Sequence, residues 1–185
     1  MTWSLPQGKR PGKWHRVTGE LRICSNGLHV TNKPVIWFDE RCGNEVYEVE
    51  IRGERQDEGD DKLCVRSVRL LRRLSDADLA SVNIFRTPGE HVVKDGVAKA
   101  SGSATVTASG SATVTAYDSA TVTAYGSATV TASGSATVTS LYGKPVIQLD
   151  PCSKSVHIDR RSCRPNVVIA GEPVVSCCTP VVKPN

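Results

Sequence analysis

Between Ser101 and Ser140 the chain repeats eight residues five times: SGSATVTA, SGSATVTA, YDSATVTA, YGSATVTA, SGSATVTS. Within a copy the alternation is strict. In the first, Ala104, Val106 and Ala108 alternate with Ser103, Thr105 and Thr107. Successive side chains of a strand point to opposite faces, so each copy reads as a strand with one apolar and one hydroxyl face. Val and Thr are strong strand formers and poor helix formers. The Ser-Gly, Tyr-Asp or Tyr-Gly between copies reads as a corner. Asp118 stands where the other copies have Gly, and Asp tolerates left-handed backbone better than most residues.

The length of one coil follows from strand geometry. Eight residues give a path of roughly 26 Å, and crossing twice between sheets about 10 Å apart uses most of it. Sixteen residues give roughly 53 Å, which leaves about five residues per side. The spacing therefore predicts two copies per coil, with successive copies alternating between two stacked parallel sheets. The result is a parallel β-solenoid with an Ala-Val-Ala interior and Thr on both broad faces. Asp95–Ala100 (DGVAKA) is a degenerate copy ahead of the clean ones. Tyr142–Leu149 (YGKPVIQL) is another, with a one-residue slip after Leu141. The open ends of such a stack invite strand pairing, and the flanking segments are expected to cap them.

Three segments result: an α+β N-terminal domain over 1–90, solenoid repeats over 91–149, and an irregular β-rich C-terminal cap over 150–185. The bulky residues, Trp3, Trp14 and Trp37 among them, cluster in the first. There, "ELRICSNGLHVT" reads as a short strand (Leu21, Ile23), a turn at Ser25-Asn26-Gly27, and a second run (Leu28, Val30). "EVYEVEIRG" alternates as a strand that Gly53 ends, "RQDEGDD" reads as a charged loop, and "KLCVRSVRLLRRL" as a further strand. "SDADLASVNIF" carries helix-start chemistry: Ser75 as N-cap, Asp76 and Asp78 in the first turn, and Leu79, Val82 and Phe85 at helical spacing.

The charge balance, +4, is too small to demand nucleic acid. Arg66, Arg69, Arg72 and Arg73 with Lys62 form a basic cluster that the run Asp57, Glu58, Asp60, Asp61 can neutralise, so a salt-bridged surface is favoured over a phosphate track. The N-terminus lacks an apolar signal region and no stretch is long enough to span a bilayer. The expected location is the cytoplasm, or a virion if the chain is phage-encoded, with no membrane partner. Seven cysteines, an odd number without C-x-x-C spacing, favour buried free thiols over a disulfide framework. A zinc set of Cys152, His157, Cys163 and Cys177 is the weaker alternative. No metal, cofactor or catalytic constellation is assigned.

The repeat resembles the bacterial ice-nucleation protein repeat, in which Tyr-Gly-Ser corners precede Thr-x-Thr strands, as in Tyr125-Gly126-Ser127 and Thr129-Val130-Thr131. The whole chain also resembles uncharacterised proteins of actinobacteria and their phages. The shared stretches are "GKWHRVTGELRICSNGLHVT", "VYEVEIRGE", "DDKLCVRSVRLLRRLS" and the "AYDSATV/AYGSATV" solenoid. That resemblance implies an architecture and a setting, and no activity.

The favoured function is non-enzymatic: interaction or assembly, with a protein partner or by self-association, on a rigid solenoid. Ordered-surface or ice binding would use the outward threonines. Thr105, Thr107, Thr121, Thr123, Thr137 and Thr139 are expected on one face, and Thr113, Thr115, Thr129 and Thr131 on the other. The remaining alternative is an ADP-ribosyltransferase-like or nucleotide-binding N-terminal domain, to which "NGLHVTNKPVIW" and "VYEVEIRGE" bear a faint resemblance. That resemblance implies His29 as the polar group with Trp37, Tyr47 or Glu48 nearby.

Overall fold

The computed structural model describes residues 2–39, 45–59, 61–162 and 165–171. The chain divides into two compact units, Met1–Val82 and a second from Asn83 onward.

The first unit contains β1 (His15–Arg16), β2 (Leu28–Val30), α1 (Pro34–Trp37), β3 (Tyr47–Glu58), β4 (Lys62–Arg73) and α2 (Asp76–Ala80). β4 is the spine of an antiparallel sheet, with β3 along one side and β1 and β2 along the other. Leu28, Val65 and Val68 form its buried cluster, with Val17, Val30, Val49, Ile51 and Leu63 packed against them.

Several expectations are corrected here. Leu21 and Ile23 do not form a strand: Arg22 and Asn26 bridge across a tight turn that starts the run into β2. Gly53 does not end its strand. It has φ +85° and sits where the β3–β4 register slips between Arg52 and Arg55, so β3 bulges there and runs on to Glu58. Most of the expected charged loop is therefore strand. α2 keeps the expected start, a capping box in which Ser75 Oγ accepts from Asp78 N–H and the Asp78 carboxylate accepts from Ser75 N–H. It stops after Ala80, and Phe85 lies on a strand of the second unit. Asn83, at φ +61°, marks the break.

The second unit is the parallel β-solenoid. β6 (Gly89–Val93), β8 (Ala104–Ala108), β10 (Thr121–Gly126), β12 (Thr137–Gly143) and β14 (Val156–Asp159) stack in one sheet. β5 (Ile84–Phe85), β7 (Val97–Ala100), β9 (Thr113–Ala116), β11 (Thr129–Ala132) and β13 (Val146–Leu149) stack in the other. The coils thus start at Ile84, ahead of residue 91, and the last of them lies beyond residue 149. Thr105, Thr121 and Thr137 lie side by side, as do Val97, Thr113 and Thr129, so a coil is sixteen residues. After β11 the spacing lengthens by one: Thr129 pairs with Val146, and Leu141 is taken up by a slip between Ala124 and Tyr125.

The interior is two sets of columns. Val106, Val122 and Val138 stack in one sheet, Val114 and Val130 in the other, all fully buried and flanked by buried alanines, save that Ser140 follows Val138. Each buried Val contributes roughly 1.5–3 kcal/mol. The corners need left-handed backbone at Gly102, Asp118 and Gly134, with φ of 57°, 50° and 66°. At Gly134 a Cβ would lie 2.8 Å from the Asp118 nitrogen, so stacked corners leave no room for a side chain there. β15 (Asn166–Ile169) folds back antiparallel on β14 and ends the parallel stacking of that sheet.

Candidate functional site

The arginines of β4 face glutamates on β3 or just before it. Arg66 pairs with Glu54. Arg69 Nε lies 2.7 Å from Glu50, Arg72 Nε 2.7 Å from Glu48, and Arg73 Nη1 3.0 Å from Glu45. Arg72 also reaches Asp78 at 2.7 Å. Those hydrogen bonds, together with the Ser75 cap, hold the Asp78 carboxyl well below the usual carboxylate range. The acids that pair with these four arginines are cross-strand partners, Glu45 and an α2 residue. Arg69 also covers the Trp14 ring at 4.9 Å. Charge that is so thoroughly paired offers little to a phosphate backbone.

On this sheet an open cleft of about 940 Å³ has a floor of Val49, Val68 and Leu70 and a rim that includes Trp3, Leu5 and Tyr47. Trp3 and Leu5 are 42% and 54% exposed, large apolar groups left uncovered at its mouth. Ser4 N–H donates to His15 Nε2 at 2.9 Å, and the Trp3 and His15 rings pack at 4.8 Å, which fixes the N-terminal arm. Of the proposed polar-aromatic set, His29, Tyr47 and Glu48 line this cleft and Trp37 does not. His29, on β2, accepts from Cys24 N–H at 3.4 Å. Tyr47 donates to Glu45 Oε2 at 2.9 Å, and that carboxylate, more than burial, raises its hydroxyl above the ordinary value. Trp37 ends α1, whose first residue is Pro34. Its Nε1–H donates to Asp61 Oδ2 at 3.1 Å, and Lys62 Nζ lies 5.1 Å from its ring.

All ten threonines of the expected ladders lie on outward positions of β8 to β12. On one face Thr105-Thr121-Thr137 and Thr107-Thr123-Thr139 run as ladders of three rungs. On the other Thr113-Thr129 and Thr115-Thr131 run as ladders of two. Val92, at the foot of the first face, and Val146, at the head of the second, are 65% and 51% exposed.

The cysteine expectation holds only in part. Cys64 is buried, whereas Cys24 and Cys152 are exposed. Cys42, Cys163, Cys177 and Cys178 lie outside the described residues, and with Cys163 and Cys177 so does half of the zinc set. Among the described residues no group of three or more His, Cys, Asp and Glu could hold a metal ion, and no helix is long and apolar enough to cross a membrane.

Sequence reasoning missed the cleft, because its lining is drawn from residues as far apart as Trp3 and Leu74. It also missed the polar trio Ser140, His157 and Asp159 at the last coil, for which the change from Ala to Ser in the fifth copy was the available signal. No curated protein and no solved structure matches the chain. The N-terminal segment, residues 6–82, matches the family described as Domain of unknown function (DUF7666), and that segment is what the comparisons relate to other proteins.

Proposed function

We propose that this protein acts by binding rather than by catalysis. Its β-solenoid serves as a rigid scaffold, and the cleft of the first unit receives a protein partner. The observation that carries the reading is the uncovered apolar mouth, Trp3 and Leu5 over a floor of Val49, Val68 and Leu70, beside a charged ladder that is already internally paired. The resemblance to proteins of actinobacteria and their phages supports a host cytoplasm or a virion as the setting. The test is capture by the immobilised full chain from an actinobacterial lysate. A partner retained by wild type and by Thr121→Lys/Thr123→Lys, but lost by Trp3→Ala/Leu5→Ser, supports the cleft. Retention by the cleft variant together with loss by the threonine variant refutes it.

A second reading, ordered-surface binding, is favoured by the register of the Thr ladders. Their rungs repeat at about 4.8 Å and their neighbours along a strand at about 6.7 Å. An ice-recrystallisation assay with no effect at high protein concentration would end it.

A further inference from the structure

The last coil breaks the pattern of the interior. β14 lies parallel on β12, with His157 beside Val138 and Asp159 beside Ser140. Positions that hold Val and Ala in earlier rungs here hold an imidazole and a carboxylate. Ser140 is fully buried and continues the column of Ala108 and Ala124. Its Oγ lies 2.8 Å from His157 Nε2 and 3.3 Å from Asp159 Oδ1. Arg161 holds Asp159 from the following turn, with Nε at 2.8 Å, Nη2 at 2.6 Å and its backbone N–H at 3.0 Å. β15 then covers the outer edge of β14, with Val168 opposite His157 and Asn166 opposite Asp159.

We propose that β14 and β15 form an acid-sensitive clasp over the edge of β12, closed while His157 is neutral and loosened when it takes a proton. The neutral ring has an apolar neighbour on each side, Val138 and Val168, and the Ser140 hydroxyl on Nε2. Among the described residues, little compensates a positive charge on the ring. β15 and β13 carry no ionisable residue within their strands, and β12 offers only hydroxyls. Among the described residues the charges near His157 are Asp159 and Arg161, which are paired with each other. The Arg161 hydrogen bonds keep the Asp159 carboxyl well below the usual range, so it stays ionised as His157 titrates. Burial pushes His157 below its ordinary value and outweighs the opposing pull of Asp159.

The open clasp therefore binds the extra proton more readily than the closed one. Closure has its full stability above the open-state value of about 6.5 and loses it as pH falls below that. Opening bares the backbone edge of β12, to which another strand can add.

Hydrogen exchange on the full chain at pH 7.5 and 5.5 tests this. After correction for intrinsic exchange, segments covering β14 and β15 should open more at pH 5.5, with β10 unchanged. The increase between these pH values is at most about tenfold, because pH 5.5 lies about one unit below the open-state value of about 6.5. His157→Gln, which retains a hydrogen-bonding partner for Ser140, and His157→Val, which continues the valine column, should both abolish the response. The proposal is overturned if β14 and β15 respond no more than β10, or if both variants keep the wild-type response. Should both variants misfold, an NMR titration of the His157 ring in wild type decides: a midpoint below 6.5 supports the clasp and one at or above 6.5 rejects it.

Discussion

In the solenoid a residue is defined by what lies directly above and below it; in the N-terminal unit it is defined by a partner far away in the chain. Val122 meets Val106 and Val138, copies of itself one coil back and one coil forward. Arg66 meets Glu54 across a bulged ladder and the carbonyl of Val17, forty-nine residues upstream. The first kind of order is nearest-neighbour and repetitive, so its energy is a sum of similar small terms. The second is a set of unlike contacts, each made once, and it is this unit that builds a shaped cleft. The conspicuous repeat thus supplies rigidity, while the irregular unit supplies the shaped cleft.

The comparison breaks most readily at the centre of the stack. Val122→Asp places an unpaired carboxylate between two fully buried valines, and a cost of about 3–5 kcal/mol is expected. If the two units fold independently, circular dichroism should show loss of the solenoid's strand signal. The near-ultraviolet signal of Trp3, Trp14 and Trp37, which all belong to the first unit, should survive. Loss of both together would show that the first unit depends on the second.

A sharper form of the same contrast uses deletions. Removing the eight residues Ser109–Ala116 takes out one half-coil, and every strand that follows finds an equivalent neighbour on the opposite sheet. Removing Val122 alone shifts one strand by a residue and turns threonines inward, because a one-residue slip exchanges the two faces. The expected outcome is that the eight-residue deletion keeps a cooperative thermal transition while the single deletion lowers the midpoint by many degrees. The slip at Leu141 falls after the Thr137–Ser140 stretch has kept its register, so no threonine of that strand is turned inward.

These cases mark what the sequence discloses. Strand, face and coil length follow from an alternation of period two and a fixed repeat, and both are local properties that the backbone obeys directly. Asp118 could be placed in left-handed backbone because its equivalents are glycines. The continuation of β3 past Gly53 could not be read, since a glycine ends a strand or bulges it according to the partner strand. The Arg–Glu pairs were hidden for the same reason: alternating charge is visible, but register is not. The cleft needed the whole antiparallel arrangement before any of its residues could be placed.

The next effect is smaller and belongs to the corners. Gly134→Ala demands a left-handed alanine and drives its Cβ to 2.8 Å from the Asp118 nitrogen, so a cost of about 1–2 kcal/mol or more is expected from the backbone alone. Asp118→Gly, one coil below, should be neutral to mildly stabilising. A chemical-denaturation midpoint that falls for the first and not for the second confirms that stacked corners, rather than side-chain contacts, set the tolerance of the solenoid.

The smallest effect is expected in the charged ladder. Arg69→Gln removes the partner of Glu50 at a site that is partly exposed on both sides, with side chains 32% and 44% accessible. Such pairs contribute about 0.2–1 kcal/mol at low salt and less as salt screens them. Part of the Arg69 contribution is its stacking on Trp14, which salt screens less. A double-mutant cycle of Arg69→Gln with Glu50→Gln, measured at low and high salt, separates the two. A coupling energy that vanishes at high salt, with a residual destabilisation carried by Arg69→Gln alone, places the ladder's net contribution in the aromatic contact. The β3–β4 pairs would then act chiefly to keep charge off the surface that a partner meets, and not to hold the sheet together.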